Sequence, residues 1–281
     1  MANQKQAHWF PGHMSKALKE IENKIKIVDV VIELLDARAP LSSINENLEE
    51  VIKNKKRLVV LTKIDLADPN QTTKWVARLK ERYDAVLALN LTNPSSEKDI
   101  ANAVVKLGEA KREKDKARGM KPQPIRAMII GIPNVGKSSF INRLAARHAA
   151  GVQNKPGFTR GEQWIKVNKD FELLDTPGIL PMSYEDKNKA SKLAIIGAIR
   201  GDILPNYDLC EYLIKFLSEH YPEALKARYN TGDVTDTVGV LNAIAARRGL
   251  LKAGEYDLDR AEELLLNEFK NGLLGKITVE W

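Results

Sequence analysis

A phosphate-binding loop constrains the fold of this chain more than any other feature. The stretch GIPNVGKSS, residues 131–139, has the form G-x-x-x-x-G-K-[ST] and follows a buried-strand pattern, IRAMIIG. A helical pattern around residues 137–147 follows the loop. Such a loop usually follows the first strand of its domain, yet nearly half of the 281 residues precede it here. Either a separate domain comes first, or the parts of one domain are reordered.

The residues before the loop alternate between strand and helix patterns. Buried strands are predicted in IVDVVIELLDARAP, RLVVLTKID and AVLALN, with helices around residues 46–54 and 75–82 between them. A first helix is predicted over 15–26, with Ser15 as its N-cap. Strands that alternate with helices indicate a mostly parallel α/β sheet with helices on both faces.

The pattern changes in the second half of the chain. EQWIKVNKDFELLD alternates as a β-hairpin with Asn168-Lys169-Asp170 at its turn. From about residue 184 the apolar spacing is helical throughout, and glycine follows the last turn of several of these segments. We therefore expect a nucleotide-binding domain over residues 1–180 and a smaller all-α domain over residues 181–281.

The phosphate-binding loop predicts which residues hold a nucleotide. Its backbone N–H groups approach the phosphates, Lys137 reaches the β and γ oxygens, and the Ser138 hydroxyl ligates Mg²⁺. We expect the phosphate contacts to come from Asn134, Val135, Gly136, Lys137, Ser138 and Ser139.

Two further motifs complete the predicted phosphate side of the site. DTPG at 175–178 ends a strand, so Asp175 can hold the Mg²⁺ shell while the Gly178 N–H faces the γ-phosphate. Thr159, in the loop between the two motifs, is the candidate for a switch residue that closes on Mg²⁺ and the γ-phosphate. The alternative for Thr159 is a surface threonine in a loop.

The base-reading residues come from TKID at 62–65, at the end of a predicted parallel strand. There Asp65 can accept two hydrogen bonds from the guanine N1–H and 2-amino group, and Lys63 can lie over the base. Adenine cannot offer that pair of donors, so GTP is favoured over ATP. The reordering then has an explanation: the base-reading strands of one circularly permuted P-loop G domain come first, and its phosphate-binding motifs come last.

Six segments together resemble the ribosome biogenesis GTPase A family, and they extend over almost the whole chain. They are HWFPGHMSKA, DARAP, GIPNVGKSS, KPGFTRG, LLDTPGIL and EHYPEALKARY. The resemblance implies a GTPase of late large-subunit assembly, whose helical domain contacts ribosomal RNA and whose hydrolysis promotes release. The family's base-reading motif usually begins with Asn, where this chain has Thr62, and Asn90-Leu91 stands where the loop supporting the base usually reads Ser-Ala. We expect guanine contacts from Thr62, Lys63, Asp65, Asn90 and Leu91.

The resemblance also implies which residue orients the water molecule that attacks the γ-phosphate of GTP. Many GTPases orient water with a glutamine after DTPG, but this chain has Ile179. In the family that role falls to a histidine that is His13 here, and the predicted catalytic residues are therefore His13, Lys137 and Thr159.

Asn134 resembles a residue that holds K⁺ beside the phosphates in related GTPases. The alternatives are a His13 that caps the first helix and an Asn134 that only stabilises its turn.

Composition limits the partners. The net charge of +7 favours a polyanion, although a merely soluble basic surface is the alternative, and the basic run from Lys111 through Arg126 is usually a solvated face. The single cysteine, Cys210, excludes the zinc modules of small-subunit relatives. No apolar run is long enough for a membrane span, so we expect a cytoplasmic protein.

Two rival functions stay open from the sequence. One is a nucleotide-gated RNA-binding module in which hydrolysis is incidental, and the other is an ATPase.

Overall fold

The structure is a computed structural model that describes residues 11–91, 93, 96–145, 164–174, 186–199 and 204–281. Within these ranges the side chains of residues 11–15, 17 and 145 are outside the description.

A six-stranded sheet forms the centre of the first domain, in the order β3-β2-β1-β4-β6-β5. All neighbouring pairs are parallel except β5 and β6. The strands are β1 (Val30–Asp36), β2 (Lys56–Thr62), β3 (Ala85–Ala88), β4 (Ile125–Gly131), β5 (Trp164–Lys166) and β6 (Phe171–Leu174). The strand that leads into the phosphate-binding loop, β4, is fourth in the chain but lies between β1 and β6 in the sheet. This order confirms the predicted permuted fold, in which one sheet is built from both sides of the loop.

Helices cover both faces of this sheet because its central strands are apolar on both sides. Along β2, Leu58 and Val60 belong to the larger hydrophobic core, whereas Val59 and Leu61 belong to a smaller one that includes Trp75. Successive strand side chains point to opposite faces, so this alternation places one core on each side of the sheet. The helices of this domain are α1 (Pro11–Lys24), α2 (Pro40–Ser43), α3 (Glu46–Ile52), α4 (Pro69–Lys80), α5 (Ser96–Leu107), α6 (Glu109–Ala117) and α7 (Lys137–Ala145).

The first helix differs from the sequence prediction at its start. Ser15 lies within the helix, which already includes Pro11, so Ser15 is not its N-cap. The helix turns an apolar stripe inward: Ile21 is fully buried and Leu18 packs against the core. The predicted hairpin is confirmed, and the Asn168 carboxamide accepts hydrogen bonds from two backbone N–H groups at the turn.

From residue 186 onward the described chain is helical, with one short exception. Its helices are α8 (Lys187–Ile195), α9 (Asn206–His220), α10 (Pro222–Tyr229), α11 (Thr237–Arg248) and α12 (Leu258–Lys270). The exception is a small antiparallel hairpin of β7 (Leu251–Lys252) and β8 (Glu255–Tyr256). Asp186, Asp236 and Asp257 cap three of the helices through their carboxylates. Residues 175–185 are outside the described ranges, so the domain limits 1–180 and 181–281 stay predictions.

The only cysteine packs in this helical region, as the sequence indicates. Cys210 is fully buried on α9, and burial raises the pKa of its thiol to about 12. The thiol therefore stays neutral at physiological pH. Across the described ranges, the helices include none that is both long and apolar enough to cross a membrane.

The C-terminal segment returns to the first domain. The Val279 N–H donates to the Arg38 carbonyl at 2.7 Å. The buried Glu280 carboxylate accepts hydrogen bonds from the backbone N–H groups of Leu41 and Ser42 at the start of α2. These contacts satisfy amides that the first turn of a helix leaves without partners. They hold the helical region against the loop that follows β1.

Candidate functional site

The predicted site residues meet at one edge of the sheet. Strands β1, β2, β3 and β4 are mutually parallel neighbours, so the loops after them leave from the same edge. Asp36 ends β1, Lys63 and Asn90 lie in the loops after β2 and β3, and the phosphate-binding loop follows β4. Ligands bind in open α/β folds at the carboxyl ends of such strands. The permuted order therefore still builds a single site.

The phosphate-binding loop has the backbone geometry that anion binding requires. Gly136 has a φ of 106° and Asn134 a φ of 57°, values in the left-handed region that favours glycine and asparagine. Helix α7 begins immediately afterwards at Lys137, so its first N–H groups and the positive end of its dipole face the loop. Ser138 and Ser139, in its first turn, are exposed.

One contact ties the phosphate-binding loop to the base-reading strand. The Thr62 hydroxyl lies 2.6 Å from the Val135 carbonyl and 3.2 Å from the Leu35 carbonyl, and its single proton serves the shorter contact. Thr62 is fully buried. It therefore holds the loop against β2 and presents no surface to a ligand, so this geometry does not provide the direct base contact expected from the sequence.

We predict that Thr62→Val raises the Kd for GDP by about fivefold, because it removes one buried hydrogen bond worth about 1 kcal/mol and loosens the loop that carries Lys137. Fluorescence titration with a labelled GDP measures this effect. Thr73→Val is the matched control, because Thr73 makes a similar hydroxyl-to-carbonyl bond on the exposed face of α4. Native affinity in Thr62→Val would mean that the loop does not depend on this bond.

The base side of the site is formed by Lys63 and Asp65. Lys63 has a left-handed backbone with a φ of 56°, and its ammonium lies 3.0 Å from the Asp36 carboxylate. Asp65 is exposed, and its carboxylate has no hydrogen-bond or ion-pair partner among the described residues. A carboxylate that is open to solvent beside a held lysine suits the two guanine donors.

The loop after β3 lies beside the phosphate-binding loop. A Cβ atom placed on Gly136 would lie 3.5 Å from the Leu91 side chain. The Leu91 carbonyl accepts a hydrogen bond from Arg143 of α7 at 2.8 Å, and the Asn90 carbonyl accepts one from Ser96 at the start of α5. These bonds place Asn90 and Leu91 between α5 and α7, on the side of the site where the base is expected.

A contact across the domains was not predicted from the sequence. The exposed Asn134 side chain donates through Nδ2 to the Gly197 carbonyl, just after α8, at 2.8 Å. Gly197 has a φ of 80°, which glycine adopts without strain. The phosphate-binding loop thus contacts the helical region directly.

The Ser138 hydroxyl fits the chemistry of a Mg²⁺ ion bound with a nucleotide. Mg²⁺ prefers oxygen ligands and is usually bound by one or two protein groups together with substrate phosphates. The described residues contain no cluster of three or more histidine, cysteine or acidic side chains that could hold a metal ion. The other predicted ligands, Thr159 and Asp175, lie outside the described residues, as do Gly178 and the His13 side chain.

Comparisons with known proteins agree with this site. A family model described as a 50S ribosome-binding GTPase matches residues 126–231, beginning within β4. The ribosome biogenesis GTPase A of Bacillus cereus is 47% identical, over 97% of this chain and 93% of that protein. That of Priestia megaterium is 45% identical, over 97% and 96%. The crystal structure of GNP-bound YlqF from T. maritima is 26% identical, with a TM-score of 0.66 over 94% of this chain and 97% of that one. The chain therefore belongs to the ribosome biogenesis GTPase A family, and it binds guanine nucleotide and hydrolyses GTP.

Proposed function

We propose that this GTPase acts in late assembly of the large ribosomal subunit, in the cytoplasm. Contact with the precursor particle and its ribosomal RNA stimulates hydrolysis, and hydrolysis promotes release. The names of the relatives and of the family model, which refer to ribosome biogenesis and to the 50S ribosome, support this assignment.

The observation that carries the mechanism is the hydrogen bond from Asn134 to the Gly197 carbonyl. Asn134 belongs to the loop that would hold the phosphates, and Gly197 belongs to the region that would contact RNA. A change at the phosphates can therefore bias the position of the helical region without any intermediate element. This is the arrangement that a GTP-dependent attachment and a GDP-dependent release require.

Both the basic run and the helical region offer cations to RNA. Four cations of the run from Lys111 through Arg126 already pair with carboxylates of this chain: Lys111, Arg112, Lys116 and Arg126. Other exposed cations have no ion-pair partner within the described part of the chain: Lys114, Arg118 and Lys121 of the run, Lys215 of α9 and Arg247 of α11. A phosphate backbone would bind these cations without competing against a resident carboxylate.

Co-sedimentation with purified large-subunit precursors tests the proposal. We expect the protein with a non-hydrolysable GTP analogue to sediment with the precursors, the GDP form to remain mostly free, and binding to weaken steeply as salt rises. A Lys215→Gln/Arg247→Gln double variant should reduce the slope of this salt dependence, whereas Lys53→Gln should not, because Lys53 already pairs with Glu50 on α3. Equal sedimentation of the GTP-analogue and GDP forms would contradict the proposed cycle.

We further propose that K⁺ binds beside the phosphates through Asn134. With Nδ2 donated to the Gly197 carbonyl, the Asn134 Oδ1 is left as a neutral oxygen ligand at the phosphate-binding loop. We predict that K⁺ raises GTP turnover about tenfold over Na⁺ at equal ionic strength, which is a small part of the roughly 10³- to 10⁵-fold gain that an arginine finger provides in other GTPases. Asn134→Ala should abolish the difference between the salts. Equal rates of the native protein in K⁺ and Na⁺ would remove the K⁺ site.

A further inference from the structure

Arg38, in the DARAP segment after β1, is the charged side chain that most needs an explanation. None of the nucleotide motifs uses it, yet only 2% of its surface is exposed, and it is among the largest fully buried side chains of the described residues. A buried guanidinium is tolerated only when it is paired and fully hydrogen-bonded. Its partners therefore indicate what the burial achieves.

Those partners lie on both sides of the domain junction. Within its own loop, Arg38 forms a bidentate pair with Asp36, through Nε to Oδ1 at 2.9 Å and Nη2 to Oδ2 at 2.7 Å. From the helical region it reaches two carbonyls, Ile196 at 2.9 Å and Lys270 at 3.2 Å. One guanidinium thus joins the carboxyl end of β1 to the ends of α8 and α12.

Asp36 carries this link to the predicted base-binding residue. Its Oδ2 atom, which accepts from Arg38, also lies 3.0 Å from the Lys63 ammonium. Burial acts to raise the pKa of Asp36, but Arg38 and Lys63 outweigh it and hold that pKa below its ordinary value. Asp36 is therefore ionised at physiological pH, and both cations are held by one buried carboxylate.

The position of β1 explains why this carboxylate can serve the nucleotide site. Strand β1 lies between β2, which carries the base-reading residues, and β4, which carries the phosphate-binding loop. Asp36 pairs in register with Thr62, the residue before Lys63. Its side chain thus sits beneath the base side of the site, and Lys63, which has a left-handed backbone, keeps a quarter of its side chain exposed above it.

We propose that Asp36 and Arg38 are positioning residues for guanine binding: the Asp36–Arg38 pair, completed by the Ile196 and Lys270 carbonyls of the helical domain, sets the Lys63 ammonium where it meets the base. Guanine affinity thereby depends on a unit that is complete only when the helical domain is docked. This inference rests on the proposed contact between Lys63 and the base.

A double-mutant cycle on GDP affinity tests the inference with the full-length protein. Kd is measured for the native chain, Asp36→Asn, Lys63→Met and the double variant. We expect each single change to weaken binding about tenfold and the double variant to bind no more weakly than Lys63→Met, because both changes remove the same contact. Asp29→Asn is the matched control, since Asp29 precedes the same strand at its opposite end and pairs with Lys111. It should leave Kd unchanged.

Asp36→Asn leaves a buried guanidinium with a neutral partner and can impair folding, so Arg38→Lys is the second variant. It keeps the positive charge beside Asp36 but loses the bidentate pair and at least one of the two carbonyl bonds. We expect a severalfold loss of GDP affinity in the native background and none in the Lys63→Met background. Additive effects of either change with Lys63→Met would overturn the positioning role. An unchanged Kd in Lys63→Met alone would instead show that the proposed base contact of Lys63 is wrong.

Discussion

Asp65→Asn is expected to weaken GDP binding by about 10²- to 10³-fold and to create affinity for xanthosine diphosphate, because the hydrogen bond from the 2-amino group, worth about 1.5–3 kcal/mol, is lost and the bond from N1–H loses its charge assistance. Guanine presents two donors, N1–H and the 2-amino group, and a carboxylate accepts both. Xanthine carries a carbonyl in place of the amino group. An asparagine at position 65 can donate to that carbonyl while it accepts from N1–H, so the same substitution removes one ligand and admits another.

Competition titrations against labelled GDP measure this change for GDP, xanthosine diphosphate and ADP. Asp99→Asn, an equally exposed carboxylate on α5, is the control and should bind all three as the native protein does. The prediction depends on the solvent-open position of Asp65 and on its lack of a partner among the described residues. If Asp65→Asn kept native GDP affinity, another group would have to read the base.

His13→Ala is expected to lower ribosome-stimulated GTP turnover by about 10²- to 10⁴-fold, the usual contribution of a positioned acid–base group, while GTP affinity stays near native. The residue after DTPG is Ile179, whose side chain cannot hydrogen-bond to water. The imidazole is the group that the family resemblance offers in its place, and it can orient water in either neutral tautomer. Single-turnover hydrolysis with and without large subunits separates this effect from nucleotide binding.

Lys16→Ala is the control for His13→Ala, because Lys16 is exposed on the same helix, α1. It tests whether a change in that helix, without loss of the imidazole, affects the rate. Full stimulation in His13→Ala would leave the GTPase reaction in place and reject His13 as the group that positions water.

The elements that depend on local pattern could be predicted from the sequence. β4 was predicted over residues 125–131 and has those bounds, because its apolar run ends at a glycine that opens the loop. The hairpin turn follows from Asn168, whose side chain satisfies the local backbone. The permuted order could also be predicted, because TKID and the phosphate-binding loop each mark the carboxyl end of a parallel strand in the same sheet.

The contacts between distant segments could not be predicted in this way. Arg38 meets the Ile196 and Lys270 carbonyls, and Asn134 meets the Gly197 carbonyl, yet no local periodicity links residues so far apart in the chain. The hydroxyl of Thr62 was noted as a departure from the usual asparagine, but the carbonyl that it holds belongs to a loop more than seventy residues later. DARAP carries no local pattern that predicts a buried ion pair, and the contacts that complete the burial of Arg38 come from the distant helical region.

The most direct test of the proposed function is GTP turnover in K⁺ buffer with and without purified large ribosomal subunits. An unassisted GTPase of this kind turns over at roughly 10⁻⁴ per second, and a partner that completes the site adds about 10³ to 10⁵. We expect stimulation of that order by large subunits and none by small subunits. An unchanged rate despite tight GTP binding would contradict a particle-activated GTPase and would favour a nucleotide-gated RNA-binding module in which hydrolysis is incidental.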